Sequence, residues 1–79
     1  MMMIDLNGKI LTVNQREEII IGYKTEELLG RYIYDFLPET SKRFVSELLV
    51  MATTNKIQTT EIEVISKSQQ ILVMELDII

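Results

Sequence analysis

Apolar and polar residues alternate at both ends of this chain and recur at helical spacing in its middle. The first alternation runs from Met2 to Leu6 and the second from Lys9 to Val13, with Asn7-Gly8 between them. Asn-Gly favours a two-residue hairpin turn whose central residues both take positive φ, so this segment predicts two short paired strands. Asn14-Gln15-Arg16-Glu17 then has the form of a capping box, with Asn14 as N-cap and Glu17 reaching back from the third helical position. A short helix through Ile19, Ile20 and Ile21 follows, and Gly22 is placed to stop it in the left-handed conformation. The pattern repeats once: Thr25 caps a single turn, Glu26 and Glu27 favour its positive end, Leu28 and Leu29 face inward, and Gly30 ends it.

The aromatic stretch "YIYDFLPE" is too short for a regular helix and is stopped by Pro38. One long helix is predicted after it, from Thr40 or Ser41 to Thr53. Phe44, Leu48 and Met51 form one stripe, Val45, Leu49 and Ala52 lie beside it, and Lys42, Arg43 and Glu47 take the wet side. "TTNK" ends that helix. Two strands close the chain. In "TTEIEVIS", Ile62 and Val64 alternate with Glu61 and Glu63. In "QQILVMELDII", Leu72, Met74, Leu76 and Ile78 share one face, while Ile71 and Val73 share the other with Glu75 and Asp77. That second face begins apolar and turns acidic, so its first half is expected to pack against something outside the domain.

Strands at both ends with helices clustered between them indicate an α+β domain with an antiparallel sheet and its helices on one face. Seventy-nine residues suit one domain, 1–79, with one thin core. The opening Met1-Met2-Met3 reads like the tail of a strand, and "ILVMELDII" stops inside an alternating run. The sequence therefore reads as a domain truncated at both ends.

Charge and composition narrow the function classes. The net charge of −4 offers no basic stripe to track a phosphate backbone, so nucleic-acid binding is not expected. No apolar run approaches the roughly 18 residues of a membrane span, so direct insertion is not expected either. There is no Cys and no His. That removes disulfides, thiol nucleophiles, Ser–His and Cys–His pairs and the usual zinc ligand sets, and no metal site is expected. The absence of Cys fits a cytoplasmic location. No P-loop or dinucleotide fingerprint is present, and no pair of carboxylates sits in an apolar setting that would raise a pKa for catalysis. The chain is expected not to be an enzyme.

"IDLNGKILTVN" resembles the opening hairpin of a PAS domain, and "GYKTEELLGR" resembles that family's mid-domain signature, in which Gly-Tyr precedes a short acidic helix ending in Gly-Arg or Gly-Lys. The order of the two segments and the long helix and strands that follow are similar to the family over nearly the whole chain. The resemblance implies a fifth strand that this sequence lacks. In the family's strand order that strand lies mid-sheet, so its absence is expected to separate the first hairpin from the last two strands.

The resemblance also implies a pocket between the inner sheet face and the helical half. By position it would be lined by Ile10, Ile33, Phe36, Phe44, Leu48, Ile62, Val64, Leu72 and Met74; a packed core is the competing reading of the same residues. Asn14 and Arg31 are the polar candidates there, although a helix cap explains Asn14 and a solvated charge explains Arg31. Flavin-binding light sensors of the family place a reactive Cys shortly after Gly-Arg, where this chain has Tyr32 and Ile33. Haem-binding members use a His on the long helix, and coumarate-linked photoreceptors need a Cys. Those cofactors are therefore excluded, leaving a non-covalent small ligand. Glu27 and Lys67 correspond to an internal salt bridge of some relatives. The resemblance implies a sensory module of a multidomain signalling protein, such as a histidine kinase or a diguanylate cyclase regulator, with a linked output domain. The competing expectation is a dimerisation module with a filled core, pairing as a homodimer through Ile71 and Val73 on the outer sheet face.

Overall fold

The computed structural model describes residues 1–54 and 58–79. Its elements are β1 (Met2–Ile4), β2 (Ile10–Val13), α1 (Gln15–Ile21), α2 (Thr25–Leu28), a 3-10 turn at Ile33–Phe36, α3 (Glu39–Ala52), β3 (Gln58–Ile65) and β4 (Ile71–Ile78). Asn55 and Lys56 of the predicted helix end lie outside the described residues.

The strands form one sheet in the order β2-β1-β4-β3. The α+β class holds, and the sheet is mixed: β1–β2 and β3–β4 are antiparallel, whereas β1 and β4 run parallel. The first hairpin is not separated from the last two strands, because β1 pairs directly with β4 in the register Met2↔Leu76, Met3↔Asp77, Ile4↔Ile78. Burial explains that pairing. Met2, Ile4, Leu76 and Ile78 are all at 0% exposure, so the parallel seam joins two apolar rows on the inner face. The Ile79 amide adds a bond to the Ile4 carbonyl at 3.0 Å.

The turn between β1 and β2 differs from the sequence expectation. Gly8 takes φ +87°, but Asn7 does not enter the positive-φ region. Asp5 organises the turn instead. Its carboxylate accepts from the amides of Asn7 and Lys9, each at 2.9 Å, and its carbonyl accepts from the Gly8 amide at 3.0 Å. Gly8 is needed for space as well as for φ, since a Cβ there would stand 3.1 Å from the Tyr34 ring.

The helices are capped by halves of the predicted motif. Asn14 accepts from the Glu17 amide at 2.8 Å, and Gly22 closes α1 at φ +85°. The return arm is missing, because the buried Glu17 carboxylate faces the Met1 ammonium rather than the Asn14 amide. In α2 the halves are reversed: Lys24, not Thr25, is the N-cap, and Glu27 accepts from the Lys24 amide at 2.8 Å. Leu28 is buried, but Leu29 points out at 43% exposure.

Helix α3 begins directly after Pro38, a residue or two earlier than expected, and buries Ser41, Val45, Leu49 and Ala52. The helix is therefore turned away from the predicted stripe: Phe44 is 51% exposed, Met51 is 58% exposed, and Leu48 sits at the boundary. Apolar residues occupy two adjoining stripes of α3, so periodicity alone did not fix which one faces the sheet. The core lies between the inner sheet face and a helical layer that contributes Ile21, Leu28, Ile33, Phe36, Leu37 and Val45.

Candidate functional site

Two regions carry the residues singled out in the sequence. The first is the apolar layer between sheet and helices. Ile10, Ile33, Phe36, Ile62, Val64 and Met74 are buried there and belong to one packed cluster, with Leu48 and Leu72 half-buried against it. Phe44 is not part of that layer, for the reason given by the rotation of α3. Strand alternation places Ile62, Val64 and Met74 inward, while the 3-10 turn brings Ile33 and Phe36 onto them from the other side. Tyr23 stacks edge-on against Phe36 with ring centroids 5.0 Å apart.

The polar candidates are already engaged. The Asn14 side chain caps α1, as the competing reading held. Arg31 is exposed, donates to the Asp35 carboxylate at 3.1 Å and lies over the Phe36 ring at 5.4 Å. Its carbonyl accepts from the Ile10 amide at 2.8 Å, so the segment after Gly30 is stitched to β2. Glu27 and Lys67 do meet, with Nζ and Oε1 3.1 Å apart. Lys67 is a wider junction than that pair. Its amide donates to the Ile21 carbonyl at 2.9 Å, and its ammonium lies 5.6 Å from the centre of the Tyr23 ring. The tip of the β3–β4 hairpin is thereby tied to α1, α2 and Tyr23 together.

Two carboxylates of this junction are held below their ordinary pKa. The Glu18 carboxyl is lowered first by the Thr25 hydroxyl and then by the Thr25 amide, which donates at 2.6 Å. The Glu27 carboxyl is lowered first by the Lys24 amide and then by Lys67. Both favour the ionised form through donated hydrogen bonds.

The second region is the outer sheet face and the groove at its margin. Ile71 and Val73 stand on that face at 60% and 64% exposure. Sequence reasoning missed the groove, which encloses about 300 Å³ among Met1, Asn14, Arg16, Ile20, Val73 and Glu75. The run Ile19-Ile20-Ile21 was a readable signal for it. A short helix with one buried face seats only Ile21, and Ile19 and Ile20 are 74% and 50% exposed. Among the described residues, no group of three or more Asp and Glu is placed to hold a metal ion.

Comparison with known proteins gives a consistent result. A sequence model of the family described as PAS fold matches residues 1–77. The structure is similar to the PAS-B domain of Drosophila melanogaster Cycle, both as a variant with bound glycerol and as the wild type with bound ethylene glycol. Each match has a TM-score of 0.76 and 21% identity and covers 89% of this chain and 70% of that one. It is also similar to the PAS domain of an HTR-like protein from Haloarcula marismortui, with a TM-score of 0.71, 26% identity, and coverage of 91% of this chain and 60% of that one. No curated protein matches the sequence.

Proposed function

This chain belongs to the PAS fold family, and from that premise we propose that it is a sensory and regulatory module of a cytoplasmic signal-transduction protein. In this reading it couples binding of a small ligand or a partner to a covalently linked output domain, such as a histidine kinase or a cyclase regulator, and performs no catalysis itself. The observation that carries the reading is the Lys67 junction. It connects the helical layer to the hairpin that exposes Ile71 and Val73, so a change in packing around Phe36 and Tyr23 has a short physical route to the surface. The Cycle PAS-B domains to which this chain is similar carry bound glycerol and ethylene glycol, which supports small-molecule binding as part of this reading. In this chain such a ligand would be held without covalent attachment, since the chain has neither Cys nor His. Native mass spectrometry and absorbance spectroscopy of the purified parent protein test the reading. A stoichiometric small molecule is the expected result for ligand sensing, and an empty interior in every preparation would overturn that and leave partner binding as the input.

A second reading is an interaction module with a filled core, whose partner covers the outer face at Ile71 and Val73. The near-zero exposure of Ile10, Ile33 and Val64 supports the filled core. One occupant of that face is a second copy of the chain, forming a homodimer. Ile71→Glu would then convert the dimer to monomer in gel filtration, and an unchanged dimer would remove this face from consideration as its contact. No helix among the described residues is long and apolar enough to cross a membrane.

A further inference from the structure

From the backbone pattern of β3, we infer that the free edge of the sheet takes up an extended segment of another polypeptide as an added strand, one that alternates Lys or Arg with apolar residues. The site is the edge of the sheet and the inner side next to it, not the outer face, and it does not depend on whether the interior holds a ligand.

The two edges of the sheet are finished differently. At β2 the edge is closed from within the chain. The Ile10 amide donates to the Arg31 carbonyl at 2.8 Å, the Ile10 carbonyl accepts from the Gly30 amide at 3.1 Å, and Lys9 bridges to Tyr32. At the other end of the strand order stands β3, eight residues long and paired on one side only. The Ser66 amide donates to the Gln70 carbonyl at the hairpin end, which fixes the phase of the β3–β4 ladder. Thr60, Ile62 and Val64 therefore turn their N–H and C=O groups to β4, whereas those of Thr59, Glu61, Glu63 and Ile65 point outward. None of these outward groups bonds to another described residue. Alternating donors and acceptors that recur every two residues, about 6.8 Å apart, match the backbone of another strand and not that of a helix.

The side chains select which strand. Glu61 and Glu63 are exposed along this edge and take part in none of the ion pairs among the described residues. In an antiparallel pair of two copies centred on Ile62, Glu61 of each would face Glu63 of the other. Centred on Glu61 or on Glu63, that residue would face its own copy. Like charges directly opposite one another destabilise a sheet, so a second copy is disfavoured and Lys or Arg is favoured at the facing positions. The positions between them lie beside Ile62 and Val64, on the inner side where α3 packs against β3. Leu49 of α3 reaches toward the first hairpin, with its Cδ1 3.5 Å from where a Cβ on Gly8 would stand. Phe44, Leu48 and Met51 occupy the opposite flank of the helix, and Phe44 and Met51 are more than half exposed. Apolar side chains of an added strand would extend the row of Ile62 and Val64 beneath that flank and cover it. The turning of α3 that leaves Phe44 and Met51 in water thus gives the empty strand position an apolar roof.

The test titrates the 79-residue chain with three synthetic peptides of roughly eight residues. One alternates Lys with Val, a twin has Glu in place of every Lys, and a third is the first peptide methylated on the backbone nitrogen of every Lys. The expected result is salt-sensitive binding of the Lys/Val peptide, with hydrogen-exchange protection gained at the amides of Thr59, Glu61, Glu63 and Ile65. The Glu/Val twin and the methylated peptide bind about tenfold more weakly or worse, the first through charge and the second through lost ladder bonds. The variant Glu61→Lys/Glu63→Lys reverses the preference between the Lys/Val peptide and its Glu twin, whereas Glu26→Lys, on the exposed side of α2, leaves it unchanged. Glu61→Gln/Glu63→Gln serves if the charge reversal unfolds the chain, with weaker Lys/Val binding expected. Four results would overturn the inference: no binding of the Lys/Val peptide, equal binding of its methylated form, equal losses in the β3 variant and Glu26→Lys, or amide shifts centred on Ile71 and Val73. None of them bears on whether the interior binds a small molecule.

Discussion

At the scale of single residues, Asn7 and Asn14 separate cleanly. Asn14 closes β2 and accepts from the Glu17 amide, so its side chain carries the start of α1. Asn14→Ala is expected to cost about 1 kcal/mol of stability in urea unfolding. Asn7→Ala should change stability by less than about 0.5 kcal/mol, because Asp5, not Asn7, supplies the turn's acceptor. The N-cap was legible in the sequence because the interaction is local and its spacing is fixed. The hairpin turn was misread for an equally local reason. Asn-Gly is compatible with more than one turn, and the Asp two residues before the Asn selected the version in which only Gly8 takes positive φ.

At the scale of elements, the long helix shows where pattern reading stops. Its length and its place after Pro38 followed from the sequence, whereas its rotation did not, because Phe44 and Val45 each begin a credible stripe. The sheet beneath decides between them, and that information comes from residues far along the chain. Val45→Ala should therefore cost about 2 kcal/mol, and Phe44→Ala less than about 1 kcal/mol; the opposite order in thermal or urea unfolding would put Phe44 in the core. The link between α1 and α2 gives a prediction in pH. Glu18 is held below its ordinary value of 4.5 chiefly by the Thr25 hydroxyl. Its contribution is thus fully present above that value and is lost as pH falls through the lower folded value. The stability gap between the native chain and Glu18→Gln should be widest at neutral pH and should narrow as the pH falls through the lowered folded value. A gap that is constant with pH would mean that the carboxylate charge is not what joins the two helices. Nothing in the sequence paired Glu18 with Thr25, since the contact exists only once Gly22 has reversed the chain.

At the scale of the whole molecule, the α+β class and the packed layer of Ile10, Ile33, Phe36 and Val64 were readable from periodicity and from the family resemblance, and the strand order was not. A three-residue strand carries too little pattern to say which neighbour it will take, and the choice of β4 was settled by four fully buried side chains meeting across a parallel seam. That seam has a consequence in time. The β3–β4 hairpin closes a short loop, so its contacts are available early in folding. The pairing of Met2 with Leu76 must close a loop spanning almost the entire chain, and such pairings are entropically the slowest to be rewarded. Val64→Ala in the hairpin should slow refolding, whereas Ile4→Ala in the seam should leave refolding nearly unchanged and accelerate unfolding, as read from the two arms of a denaturant chevron. If so, the first strand is the last to arrive and the first to leave. The lifetime of the folded domain is then set by three residues at one edge of its longest loop.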